Sequence, residues 1–79
     1  MPTVFTVDGI AYRFYSSDEH EPPHVHAVQD RSQAKFWIDP LVELEKNRGF
    51  LAKELNRIEK VIIERRDELL EAWHDFFGD

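Results

Sequence analysis

A chain of 79 residues with ten Lys and Arg, sixteen Asp and Glu and no cysteine sits near the lower limit of independent folding, so residues 1–79 are read as one domain, β-rich over 1–46 and helical over 51–77. The missing cysteine excludes disulfides and thiolate zinc sites, which leaves His and carboxylates as metal ligands. The formal charge of -6 works against unaided binding to phosphate backbones, and the lack of a leader-like or spanning apolar stretch makes the cytoplasm the expected setting, with no membrane partner.

Residues 3–7, Thr-Val-Phe-Thr-Val, are β-branched or aromatic and lead through Asp8-Gly9 into a second such run at 10–15. This predicts a hairpin closed by a type I′ turn, whose two central positions need positive φ. Residues 16–23 are polar and then locked by Pro22-Pro23, an ordered loop. Strand character returns at 24–28, a turn follows at 29–32, and 34–38 reads as a fourth strand ending at Asp39-Pro40. Residues 41–44 add a short fifth strand or an irregular connector.

Beyond Gly49, apolar residues recur at Leu51, Leu55, Ile58, Ile62, Leu69, Trp73 and Phe76, steps of three, four or seven that trace one helical face. The series skips Arg65-Arg66, which predicts either one long helix crossing a polar gap or two helices meeting at a bend. Gly78 marks the far end as a C′ residue. The expected fold class is therefore α+β: a small antiparallel β-sheet of four, or with 41–44 five, strands covered by a C-terminal helix or bent helix pair.

The functional signal is His20, His24 and His26 around Pro22-Pro23. On a strand, His24 and His26 share a face, and the proline corner can return His20 toward them. Converging imidazoles suit two chemistries. One is metal-independent cleavage of RNA, with one ring as base, another as acid, and Arg13 or Lys35 holding the phosphate. The other is a His20, His24, His26 site for zinc or another divalent transition metal, with Asp18, Glu19 or Glu21 near enough to orient a ring or complete the shell. Against both stands a structural role, in which the rings only shape a loop.

Other features have simpler readings. Arg13 and Lys35 are first of all solvent-facing strand residues. Phe36-Trp37 reads as core before it reads as a base-stacking platform, and Trp73, Phe76 and Phe77 as core before a partner-binding end. The mixed run Glu64-Arg65-Arg66-Asp67-Glu68 is a solvated helix face. Met1-Pro2 resembles the start of enzymes that use an N-terminal proline as base, a chemistry that needs the methionine removed.

Phe14-Tyr15-Ser16, His20-Glu21-Pro22-Pro23-His24-Val25-His26, the run from Ala34 to Pro40, Gly49-Phe50, and Leu69-Leu70-Glu71-Ala72-Trp73 with Phe76 together resemble the bacterial domain-of-unknown-function 4160 family over nearly the whole chain. The resemblance implies a small cytoplasmic bacterial protein, encoded beside a member of the domain-of-unknown-function 2442 family in two-gene units that look like toxin–antitoxin modules. One departure is Leu51-Ala52, where relatives carry a polar cap and a proline. Three functions follow as expectations: a toxin–antitoxin component with a metal-independent ribonuclease site; a non-catalytic partner-binding or regulatory module that reaches DNA only through its partner; and a His-based metal protein. Whether the chain is an enzyme, and whether it forms an oligomer, the sequence leaves open.

Overall fold

The computed structural model describes residues 3–78; the Met1-Pro2 reading lies outside them. Five strands, β1 (Thr3–Val7), β2 (Ile10–Arg13), β3 (His24–Gln29), β4 (Ser32–Trp37) and β5 (Glu43–Arg48), precede two helices, α1 (Ala52–Glu64) and α2 (Arg66–Phe77). The strands pair antiparallel in chain order as one sheet, so the α+β expectation holds with five strands and a bent helix pair. The first turn is as expected, with Asp8 at φ 52° and Gly9 at φ 80°. The fifth strand lies at Glu43–Arg48 rather than 41–44.

Strand alternation sends Tyr12, Val25, Ala27, Ala34 and Phe36 to one face, where they join Phe14, Ile38, Phe50, Ile58, Ile62, Leu69 and Trp73 in a continuous core. Burying each of the larger of these side chains contributes about 1.5–3 kcal/mol. The helical stripe supplies Ile58, Ile62, Leu69 and Trp73 to this core, whereas Leu51 stays outside it, 62% exposed. Trp73 stands edge-on to Phe14 at 5.2 Å. Phe77 is half-buried against both rings and Phe76 is 40% exposed.

The polar gap in the helical stripe is a bend. Arg65 leaves helical geometry at φ -112°, ψ 23°, yet its N–H still donates to Val61 O and its carbonyl accepts from Leu69 N, both at 3.0 Å. Nor is the Glu64–Glu68 run merely solvated. The Arg65 guanidinium lies 3.7 Å from the centroid of the Phe5 ring, and Arg66 donates from Nε to Ile38 O at 2.6 Å and from Nη2 to Pro40 O at 3.2 Å. Leu51 cannot cap α1 through its side chain, but Glu54 Oε1 accepts the Leu51 N–H at 2.8 Å, satisfying one of the helix's free donors.

Gly49 joins β5 to α1 at φ 100°. A Cβ there would sit 2.7 Å from Ser32 Oγ, so both backbone and space demand glycine.

Candidate functional site

The face opposite the core carries the chemistry. The register aligns Arg13, His26, Lys35 and Lys46 in one row across β2, β3, β4 and β5. Gln33 faces Arg48 in the next row, and His24 faces Trp37. Lys46 reaches this face because of a bulge. Lys35 pairs with Lys46 but Phe36 with Leu44, so Glu45 is an extra residue that resets the alternation; it accepts the Trp37 indole N–H at 3.1 Å. Of the Phe36-Trp37 pair only Phe36 enters the core. Trp37 stands half-buried on the opposite face, edge-on to His24.

Residues 16–23 return across this face, and their first part is a 3-10 turn, Ser16–His20. Asp18 closes it: its N–H donates to Tyr15 O and its Oδ2 accepts the Tyr15 N–H, both at 2.9 Å. The same Oδ2 lies 3.1 Å from His26 Nε2 and 3.2 Å from His24 Nε2. Suitable ligand atoms of Asp18, His24 and His26 lie within 4.8 Å of one another. The convergence that the proline corner was expected to produce therefore exists, but its third member is Asp18.

His20 does not join. Its side chain is 86% exposed and its nearest acidic partner is Glu19, at 3.9 Å. The corner instead anchors His24, whose Nδ1–H donates to Pro22 O at 2.9 Å. The His24 side chain is fully sealed, between Trp37, Trp73 and the His26 ring. Sealing removes it as a second proton-transfer imidazole, because no substrate can reach it. Its Nε2 has no hydrogen-bond partner among the described residues.

His26 lines an open cleft of about 430 Å³ together with Tyr15, Asp18, Glu21, Lys35, Lys46 and Arg48. Burial holds the His26 pKa below the usual imidazole value, against the pull of Asp18, so the ring is largely neutral near pH 7. Lys35 Nζ donates to Glu21 Oε1 at 2.5 Å and sits 4.7 Å from the centroid of the Trp37 ring. Its hydrogen bond keeps the Glu21 carboxyl below the ordinary carboxylate range. Arg13 faces His26 in register but is not part of the cleft wall, and its Nε is buried without a hydrogen-bond partner among the described residues.

Of the nominated residues, then, His26 and Lys35 meet in the cleft, His24 backs it from inside, Arg13 lies beside it and His20 points away. Tyr15, Lys46 and Arg48 complete the cleft wall beside them. Lys46 and Arg48 are two apart in the sequence, a strand period, but the charged segment around them carried no apolar alternation to mark a strand.

No helix among the described residues is long and apolar enough to cross a membrane. No curated protein and no solved structure matches the chain. One family model does, over residues 9–74, a span that takes in the 3-10 turn, the Asp18-His24-His26 convergence, every residue of the cleft and most of the helix pair. The chain belongs to the domain-of-unknown-function 4160 family.

Proposed function

We propose that this chain is the RNA-directed member of a bacterial, cytoplasmic two-protein unit of the toxin–antitoxin type, holding single-stranded RNA in the cleft and cleaving it beside His26. One observation carries the reading: a carboxylate-paired imidazole lines the same cleft as three cations, Lys35, Lys46 and Arg48. The net charge of -6 does not argue against it, since electrostatic recognition of a phosphate chain depends on the local cationic row rather than on the total. Asp18 orients His26, and the cations neutralise the phosphate on which charge develops during cleavage. With His24 sealed, the acid–base pair expected from two imidazoles reduces to His26 plus a donor in the cleft, and Tyr15, whose ring lies 4.5 Å from that of His26, is the group placed for it.

The test is incubation of the pure protein with end-labelled single-stranded RNA. Cleavage that is lost in His26→Ala, and in a Lys46→Glu variant that keeps its fold, supports the reading. Intact RNA with the wild type removes it.

A second reading is favoured by β5. All six of its residues are exposed, among them Leu44 at 42%, it is the last strand of the sheet order, and Leu41 just before it is 71% exposed. Such an edge accepts a partner strand. In this reading a protein resembling the domain-of-unknown-function 2442 family docks there, and any contact with DNA is made by that partner. The aromatic end of α2 is the weaker candidate for docking, because Trp73 is core.

A further inference from the structure

We infer that Asp18, His24 and His26 are the protein ligands of a mononuclear divalent metal site of the zinc class, with its open coordination position facing the cleft.

The case begins with hydrogens. Pro22 O can only accept, so His24 carries its proton on Nδ1. A neutral ring then presents a bare electron pair at Nε2. That pair is sealed from water, lacks a hydrogen-bond partner among the described residues, and faces Asp18 Oδ2 at 3.2 Å. Oδ2 already accepts from Tyr15 N–H and from His26 Nε2–H, so it has no proton of its own to offer. An electron pair held against a carboxylate oxygen in a dry site requires a positive centre between them or a second proton on the ring.

A metal ion meets every part of this requirement. A backbone carbonyl on the far nitrogen of a ligating imidazole is the usual way a protein fixes tautomer and ring orientation, and Pro22 O provides it for His24. A tetrahedral zinc site with bonds of about 2.0–2.1 Å has edges of roughly 3.3 Å. The two separations from Asp18 Oδ2 are 3.2 Å and 3.1 Å, whereas the three ligand atoms together are held only within 4.8 Å, so the two imidazoles must draw together as the ion binds. For His26 the change is one of tautomer: its proton moves from Nε2 to Nδ1 and the ring stays neutral. Asp18 and His26 both line the cleft while His24 is closed off behind them. An ion among the three therefore has one side toward the cleft, where water or a phosphate oxygen completes the shell. Two His, one carboxylate and one open position is the pattern of a catalytic rather than a structural zinc site.

The metal site stands apart from the ribonuclease reading, because His26 with the ion on Nε2 and its proton on Nδ1 has no nitrogen left to act as base, and its binding is measured without RNA. Chelator-stripped protein is titrated with Zn²⁺ by calorimetry, with zinc per chain read by mass spectrometry. The expected result is one ion per wild-type chain, the same in His20→Ala, and affinity lower by roughly 100-fold or more in Asp18→Asn and His24→Ala. Asp18→Asn keeps an oxygen acceptor for the Tyr15 N–H, so circular dichroism confirms that its loss is not unfolding. Absence of wild-type binding, binding retained in Asp18→Asn, or binding lost in His20→Ala overturns the site. Zinc bound while RNA stays intact leaves the site standing and removes the ribonuclease. RNA cleaved at full rate in chelator, with no zinc taken up, removes the site and leaves the ribonuclease.

Discussion

His24 gives its Nδ1–H to the carbonyl of Pro22 at 2.9 Å, and this one bond decides which nitrogen of a sealed ring faces Asp18. The proline corner therefore acts less by bending the chain than by presenting a fixed acceptor that sets a tautomer.

Asp18 holds the 3-10 turn and the His26 ring through a single oxygen. In metal-free protein, Asp18→Ala leaves the Tyr15 N–H and the His26 N–H without their acceptor. A loss of about 2–3 kcal/mol in urea unfolding is expected, with Asp18→Asn recovering part of it. An Asp18→Ala protein as stable as the wild type contradicts the role of this carboxylate as the organiser of the turn.

Arg66 ties the bend between the helices to the β4–β5 connection. Its guanidinium donates to Ile38 O at 2.6 Å and Pro40 O at 3.2 Å, with Asp39 Oδ1 at 3.4 Å. Arg66→Ala is expected to destabilise by about 1–3 kcal/mol, and Arg66→Lys to recover less than half, because a single ammonium cannot serve acceptors spread around a planar fork. Denaturant midpoints of the two variants check this.

Gly49→Ala is expected to cost at least about 1–3 kcal/mol, since the new methyl meets both the positive φ and Ser32 Oγ, 2.7 Å away. Adding Ser32→Gly removes the contacts with Oγ and Cβ but neither the 3.3 Å approach to the Cα of residue 32 nor the backbone strain, so the double variant should recover only part of the loss in thermal unfolding.

Tyr12 gives the pH dependence. Burial pushes its phenol up to about 12, with Asp8 adding to the shift, whereas an unfolded tyrosine ionises near about 10. The folded state holds the proton more tightly, so this contribution is complete below about pH 10 and is lost as the pH rises through about 12, on the order of 3 kcal/mol in all. Unfolding free energies measured across this window should fall. Tyrosinate absorbance should show Tyr12 ionising only near 12 or on alkaline unfolding.

If Lys46 and Arg48 contact phosphates, replacing either by Ala should lower the slope of log affinity for single-stranded RNA against log salt by about 0.7. Fluorescence anisotropy at several salt concentrations reads this directly. Arg31→Ala, on the exposed β3–β4 turn, should leave the slope unchanged.

Where the sequence could be read, local physics was enough: Asp8-Gly9 needs positive φ whatever the rest of the chain does, and the spacing of Ile58, Ile62, Leu69 and Trp73 marks a buried helical face. The fifth strand lies beyond the 41–44 expected for a short strand or connector because Glu43-Leu44-Glu45-Lys46-Asn47-Arg48 is an exposed edge strand with a bulge, and so lacks the period of two. The site was legible only in part. His24 and His26 share a face by alternation, and Asp18 was near enough to orient a ring. That Asp18 rather than His20 completes the cluster depends on the 3-10 turn, which points His20 outward and folds Asp18 in. Lys46 and Arg48 enter the cleft only through pairing across the sheet, which no local window contains.

The central claim is that His24 holds a bare nitrogen against Asp18, ready for an ion, and the long-range ¹H–¹⁵N spectrum of its imidazole tests it most directly, with exposed His20 as the internal reference. The account predicts that adding Zn²⁺ to chelator-stripped protein at neutral pH moves the His24 Nε2 signal to that of a metal-bound nitrogen while His20 stays in place. A His24 ring protonated on both nitrogens and unchanged by zinc contradicts it.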